Sequence, residues 1–202
     1  MSATIAAKRA QILEAALGCF GRYGYRRTSM ETIARAAGVS RPALYQHFAG
    51  REDVFRAMAA WLLDGALERA AAALDGGGPI ADRLYGALEV KLALVHGHTS
   101  AQFRQELLEE AAAIAGDLVS SFVERLTALV EAALAGAAAT ELGLVGVALP
   151  ARDAAVLLVD AVTGIEKEHA PPETLRARLR QLVELAVRGL ASRPSRPSWS
   201  VS

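Results

Sequence analysis

The chain has a single cysteine, few aromatic residues, no excess of either charge and no long apolar run, and each shortage closes off a class of protein. A lone thiol, Cys19, forms no disulfide within the chain, so a disulfide-stapled secreted scaffold is excluded and a reducing cytoplasm is the expected compartment. No apolar stretch approaches the roughly 20 residues of a membrane helix, so no membrane partner is expected. The start from Met1 to Arg9 also lacks the charge-then-apolar order of a secretory signal. Hydrophobic residues make up 52% of the sequence but aromatics only 5%. The apolar content is therefore carried by alanine and leucine, the strongest helix formers, and an all-α protein is expected.

Catalytic and metal signatures are also missing. The glycine run from Asp75 to Pro79 lacks the lysine and the serine or threonine of a phosphate loop, and it follows a helical pattern rather than a strand. No enzyme is expected. His96 and His98 flank one glycine, but no third ligand lies nearby and His169 is distant, so they are taken as loop histidines, with no metal and no cofactor expected. Cys19 shares an apolar helical face with Ile12, Ala16 and Phe20 and is expected in the core.

What is present is concentrated between residues 28 and 48. Thr28 and Glu31 have the spacing of a capping box, which opens a helix whose apolar face is Met30, Ile33, Ala34 and Ala37. Gly38 can take the left-handed conformation that ends it, and Ser40 can cap a second helix from about Arg41 to Phe48. That second helix buries Leu44 and Phe48 and turns Arg41, Pro42, Ala43, Tyr45, Gln46 and His47 outward. The face is basic and aromatic and carries no acid, as suits the DNA major groove. Charge agrees independently: residues 1–50 hold seven basic side chains (Lys8, Arg9, Arg22, Arg26, Arg27, Arg35, Arg41) against Glu14 and Glu31. The segment is thus +5 in a chain that is neutral as a whole, an electrostatic footprint for phosphate.

Glycine and proline mark the other joints. Helices are expected over about 4–23, 51–74, 80–96, 101–113, 116–138, 151–169 and 172–190, with a weak helix end and loop over 136–150. That makes about nine in all. The tail over 192–202 is rich in serine and proline and is expected to be disordered. Domain divisions are expected at 1–50, 51–191 and 192–202.

The first 60 or so residues resemble the TetR family of bacterial transcriptional regulators. The resemblance rests on Ile12 to Ala16 and Phe20, Gly24-Tyr25, Thr28-Ser29-Met30, Ile33-Ala34, Ala37 to Ser40, Leu44-Tyr45, His47-Phe48 and Arg51 to Asp53. A Gly-Thr pair is frequent in the family before Leu-Tyr; here Pro42 and Ala43 stand there, and proline is tolerated in a first helical turn. The resemblance implies three N-terminal helices for DNA and six forming a ligand-sensing and dimerising domain, with the helix from Arg51 as connector.

From these residues, Arg41 is expected to read a base, with Pro42 and Ala43 against a thymine methyl. Thr28, Tyr45, His47 and Arg51 are expected at phosphates, beside Ser40 and Gln46. One recognition helix reads few base pairs, so a homodimer on an operator with two half-sites is the expected assembly. The resemblance places its interface on the last two helices, with Val159, Val162 and Thr163 on one side of the first and Leu175, Leu179, Leu182, Ala186 and Leu190 recurring along the second; each stripe alone could equally be core. Trp61, Tyr85, Leu88, Leu92, Phe103, Phe122, Leu126 and Val159 are candidates for an apolar effector cavity, with plain core packing as the competing reading. The function expected is a homodimeric DNA-binding transcriptional repressor released by a small, largely apolar effector. The alternative is a DNA-binding regulator or activator without a small-molecule ligand, controlled by a protein partner or by abundance.

Overall fold

A computed structural model describes residues 2–97, 101–138, 149–168 and 170–191. The regular elements among the described residues are all helices: α1 Ser2–Tyr23, α2 Met30–Ala36, α3 Arg41–Tyr45, α4 Arg51–Asp75, α5 Ile80–His96, a 3-10 turn Ala101–Phe103, α6 Arg104–Ala138, α7 Ala151–Glu166 and α8 Pro172–Ala191. The expected tail, His98, His169 and most of the loop before Pro150 lie outside the described residues. Among the described residues no helix is long and apolar enough to cross a membrane.

Two compact units are present. The first takes the described residues up to Ala66 together with Ala93–Phe122, and the second takes Leu67–Leu92 together with those from Val123 onward. The N-terminal packing unit is thus larger than the segment 1–50 marked out by the sequence pattern. The reason is burial: Val54, Phe55 and Met58 of α4 complete one core with Ile12, Phe20, Ile33, Leu44 and Phe48, and Leu107, Ala111 and Ile114 of α6 pack against it.

Within that unit Phe20, Tyr25 and Phe55 form a ring cluster with centroids 5.1–5.6 Å apart, two of the three pairs edge to face. Gly24, at φ +81°, turns the chain out of α1. A Cβ there would stand 3.0 Å from the Phe103 ring and from a Glu106 carboxylate oxygen. The same Glu106 accepts the Arg26 amide at 2.9 Å, and Glu110 pairs with the Arg26 guanidinium at 3.5 Å.

Residues 101–113 and 116–138, expected as separate helices, are one helix kinked at Ala115, whose φ of −134° and ψ of 25° are non-helical. Among the described residues the helices number eight, close to the nine or so expected. A side chain of α4 meets the chain at this break. Arg56 donates to the Ile114 carbonyl at 2.8 Å and to the Asp117 carboxylate at 2.8 and 2.5 Å. That hydrogen bond, assisted by the backbone amides of Leu118 and Asp117, holds the Asp117 carboxyl down at about 2.

In the second unit Leu84, Leu88, Leu126, Leu134, Leu158, Val162, Leu175 and Leu179 make the core. A strongly buried ion pair joins α5 to α7: Lys91 donates to Glu166 at 2.6 Å and to the Thr163 hydroxyl at 3.0 Å. Burial pushes the Glu166 carboxyl above its usual range even against the Lys91 charge. Arg176 and Arg180 of α8 reach Glu89 and Asp82 of α5 at 2.9 and 3.1 Å.

Gly24→Ala should lower stability by about 1–2 kcal/mol from the backbone conformation alone, and further from crowding against Phe103. Gly18→Ala, in an exposed helix position with open space around it, should instead be neutral or stabilising; urea midpoints compare the two. Because the folded-state pKa of Asp117 is depressed, its contribution is present above about pH 4 and lost as the pH falls toward 2. Asp117→Asn should therefore flatten the stability profile between pH 4 and 2, read by denaturant melts across that range.

Candidate nucleic-acid interface

The helix start at α2 differs from the expectation. Ser29, not Thr28, is the N-cap, its hydroxyl accepting the Thr32 amide at 3.1 Å. Thr28 is 1% exposed, and its hydroxyl donates to the carbonyls of Gly24 at 2.7 Å and Cys19 at 3.3 Å. It locks the turn after α1 and is not available to a phosphate.

The turn between α2 and α3 follows the sequence closely. Gly38 sits at φ +62°, its amide bonds to Arg35 O at 3.2 Å and that of Val39 to Ala34 O at 3.0 Å, the paired bonds of a Schellman stop. Ser40 caps α3 by accepting the Ala43 amide at 3.3 Å. The α-helix ends at Tyr45 rather than Phe48, yet the amides of His47 and Phe48 still bond to Leu44 O, so the helical path continues through a tightened turn. Leu44 and Phe48 are buried.

Arg41, Pro42, Tyr45 and Gln46 are exposed, Ala43 and His47 half-buried, and Ser40 exposed. The Arg41 guanidinium lies 5.7 Å from the centre of the Tyr45 ring. Arg51 behaves otherwise than expected. It stands 4.3 Å over Tyr25 and donates to the carbonyls of Arg26 and Thr28 at 3.3 Å, so it braces the α1–α2 turn.

Arg9 and Gln11 carry no pattern in the sequence but support the site. The Arg9 guanidinium lies 4.5 Å over Phe48 and donates to the His47 carbonyl at 3.4 Å, and Gln11 donates to the Ala37 carbonyl at 2.8 Å. Both tie α1 to the ends of the motif, contacts that only the fold brings about.

The candidate effector residues do not share one setting. Trp61, Phe103 and Phe122 belong to the first unit and Tyr85, Leu88, Leu92, Leu126 and Val159 to the second. Phe122, Leu88, Leu92, Leu126 and Val159 are buried core. Trp61 is 42% exposed, Phe103 lies under Arg27 against the α1–α2 turn, and the Arg180 guanidinium covers Tyr85 at 4.0 Å.

The candidate interface stripe also divides. Val159, Val162, Leu175, Leu179 and Leu190 are buried within the chain, and Thr163 holds Lys91. These residues are core because α7 and α8 pack on each other through them. Leu182 and Ala186 are half-buried, and the apolar residues facing outward are Val156, Leu157 and Leu185, at 36%, 59% and 70% exposure. Among the described residues no group of three His, Cys, Asp or Glu is placed to hold a metal.

Two helices joined by a Schellman turn, with a basic and aromatic second helix buttressed from behind, define a helix-turn-helix DNA-binding domain. Residues 12–58 match the family described as bacterial regulatory proteins, tetR family. Over 55 residues the chain is 40% identical to an HTH-type transcriptional repressor of Mycobacterium tuberculosis, covering 27% of this chain and 29% of that protein. Over 133 residues it is 29% identical to the HTH-type transcriptional regulator RutR of Escherichia coli K12, covering 64% and 63%. The chain thus spans less than two thirds of the length of these curated relatives. A solved transcriptional regulator from Rhodococcus sp. Rha1 shares the fold at a TM-score of 0.69 and 21% identity, over 92% of this chain and 99% of that one.

Arg41→Ala should cost about 1–3 kcal/mol of binding on one preferred base pair, whereas Tyr45→Phe should weaken binding to every sequence alike. Competition between a selected duplex and its scrambled version measures the difference; equal losses for Arg41→Ala on both would remove Arg41 from base reading.

Proposed function

We propose that this protein is a homodimeric, sequence-specific DNA-binding transcriptional regulator, acting as a repressor that a small effector releases from its operator. The observation that carries the reading is the rigidly backed α3, with Arg41, Pro42, Tyr45 and Gln46 presented to solvent on a segment of net charge +5. The names of the matched relatives, a repressor and a regulator, support it. Thr28 and Arg51 are left out of the DNA-contacting set for the reasons above; Ser40, Ala43 and His47 remain in it.

A helix of this length reads only a few base pairs, so a second copy is needed to engage a second half-site. We place the contact between copies on the outward face of α7 and α8, around Val156, Leu157 and Leu185, flanked by Leu182 and Ala186 and by the exposed Gly164. An effector acts by binding the DNA-incompatible state more tightly, and DNA must then weaken the effector by the same factor. A regulator without a small-molecule effector gains support from one observation. Trp61, Tyr85 and Phe103, the aromatic residues expected to wall a cavity, are respectively exposed, covered by Arg180 and turned toward Arg27.

Leu157→Glu with Leu185→Glu should yield a folded monomer, since neither side chain is part of the core. Affinity for a duplex with two half-sites should fall by at least about a hundredfold, while binding to one half-site is kept. Sedimentation velocity and DNA titration test this together, and a variant that stays dimeric with normal operator binding would place the interface elsewhere.

A further inference from the structure

We propose that the groove between α1 and α2 is a ligand site of its own, for a small organic anion with an apolar body. Arg22, Arg27 and Arg35 line a depression of about 590 Å³ together with Tyr23, Thr32 and Phe103. Two of the arginines are held against rings, Arg22 5.6 Å from the centre of Tyr23 and Arg27 5.7 Å from that of Phe103. Nearby Arg26 is paired with Glu110. Arg22, Arg27 and Arg35 have no carboxylate partner among the described residues.

Three unneutralised guanidinium groups around a concave surface focus a positive field, and their planar forks suit a carboxylate or phosphate head. The depression does not end at the arginines. A second hollow of about 410 Å³ shares Arg22, Tyr23, Thr32 and Arg35 with it and continues over Ala15, Gly18, Cys19 and Ala36. No atom lies within 4 Å of where a Gly18 side chain would begin, so that end is open as well as apolar. A DNA backbone offers phosphates but no hydrocarbon to cover this end; a small amphipathic anion offers both. Occupancy would lie directly against α2 and the turn at Arg27, on the DNA-binding unit itself.

The test uses the full chain with octyl phosphate below its micelle concentration, and inorganic phosphate and octanol as its two halves. Octyl phosphate should bind saturably, at least about tenfold more tightly than either half, in amide NMR titrations that shift Thr32, Arg35 and Gly18. Arg22→Gln with Arg35→Gln, at exposed and unpaired positions, should weaken it about tenfold or more with an unchanged melting temperature. Gly18→Leu should weaken octyl phosphate while leaving inorganic phosphate unaffected. Cys19, the only thiol in the chain, should react more slowly with a maleimide when octyl phosphate is bound. Undiminished octyl phosphate binding in either variant would overturn the proposal. So would a double variant whose only defect is a shallower salt dependence of DNA binding, which would assign the arginines to the DNA backbone instead.

Discussion

The DNA-binding unit depends on the contact of Phe20, Tyr25 and Phe55 with the Arg51 guanidinium stacked on the outer ring. Phe20 belongs to α1, Tyr25 to the turn and Phe55 to α4, so the three rings fix the end of one helix against the start of another. Arg51 adds donors to two carbonyls of the intervening turn, which water would otherwise have to satisfy. With Thr28 bonding inward beneath it, the segment before α2 has little freedom left, and α2 and α3 are presented from a fixed base. A recognition helix only five residues long has no stability of its own. Its order is supplied by Leu44 and Phe48 in the core and by Arg9 at its end.

The same unit shows how a broken helix is made tolerable. At the kink at Ala115, Arg56 donates to the Ile114 carbonyl while also holding Asp117. On the other side of the kink, Phe103, Glu106 and Glu110 of the first turns of α6 and the segment before it grip Gly24, Arg26 and Arg27. The turn out of α1 is therefore shaped by residues some eighty positions away in the chain, and glycine is required there for both its backbone angle and its lack of a side chain.

In the second unit burial and charge divide the labour differently. Lys91 and Glu166 are almost fully enclosed, and such a pair gains little net stability, since desolvating both charges offsets their attraction. Its consequence is positional: α5 and α7 can meet in only one register if neither charge is to be stranded. The apolar residues between α7 and α8 then fall inward, leaving Val156, Leu157 and Leu185 as the hydrophobic surface. Exposed apolar side chains on two neighbouring helices are costly in an isolated protomer, which supports the contact between copies proposed above.

The helix-turn-helix was legible because its signals are local. Gly38 for a left-handed stop, Ser40 for a cap, Leu44 and Phe48 for the buried side and Arg41 with Tyr45 for the exposed one act within a few residues of each other. Helical content, the breaker at Asp75 to Pro79 and the family resemblance of the first 60 or so residues were likewise local in the sequence. Tertiary structure decided whatever requires two distant segments to meet. Whether Thr28 or Ser29 caps α2 turned on which hydroxyl the end of α1 claims, and Arg51 lies over Tyr25 because the fold sets that ring beside the start of α4. Periodicity marks an apolar stripe on α7 or α8 but not what covers it. A helix facing its neighbour and a helix facing a second copy show the same 3.6-residue repeat, and only the packed fold separates Leu179 from Leu185.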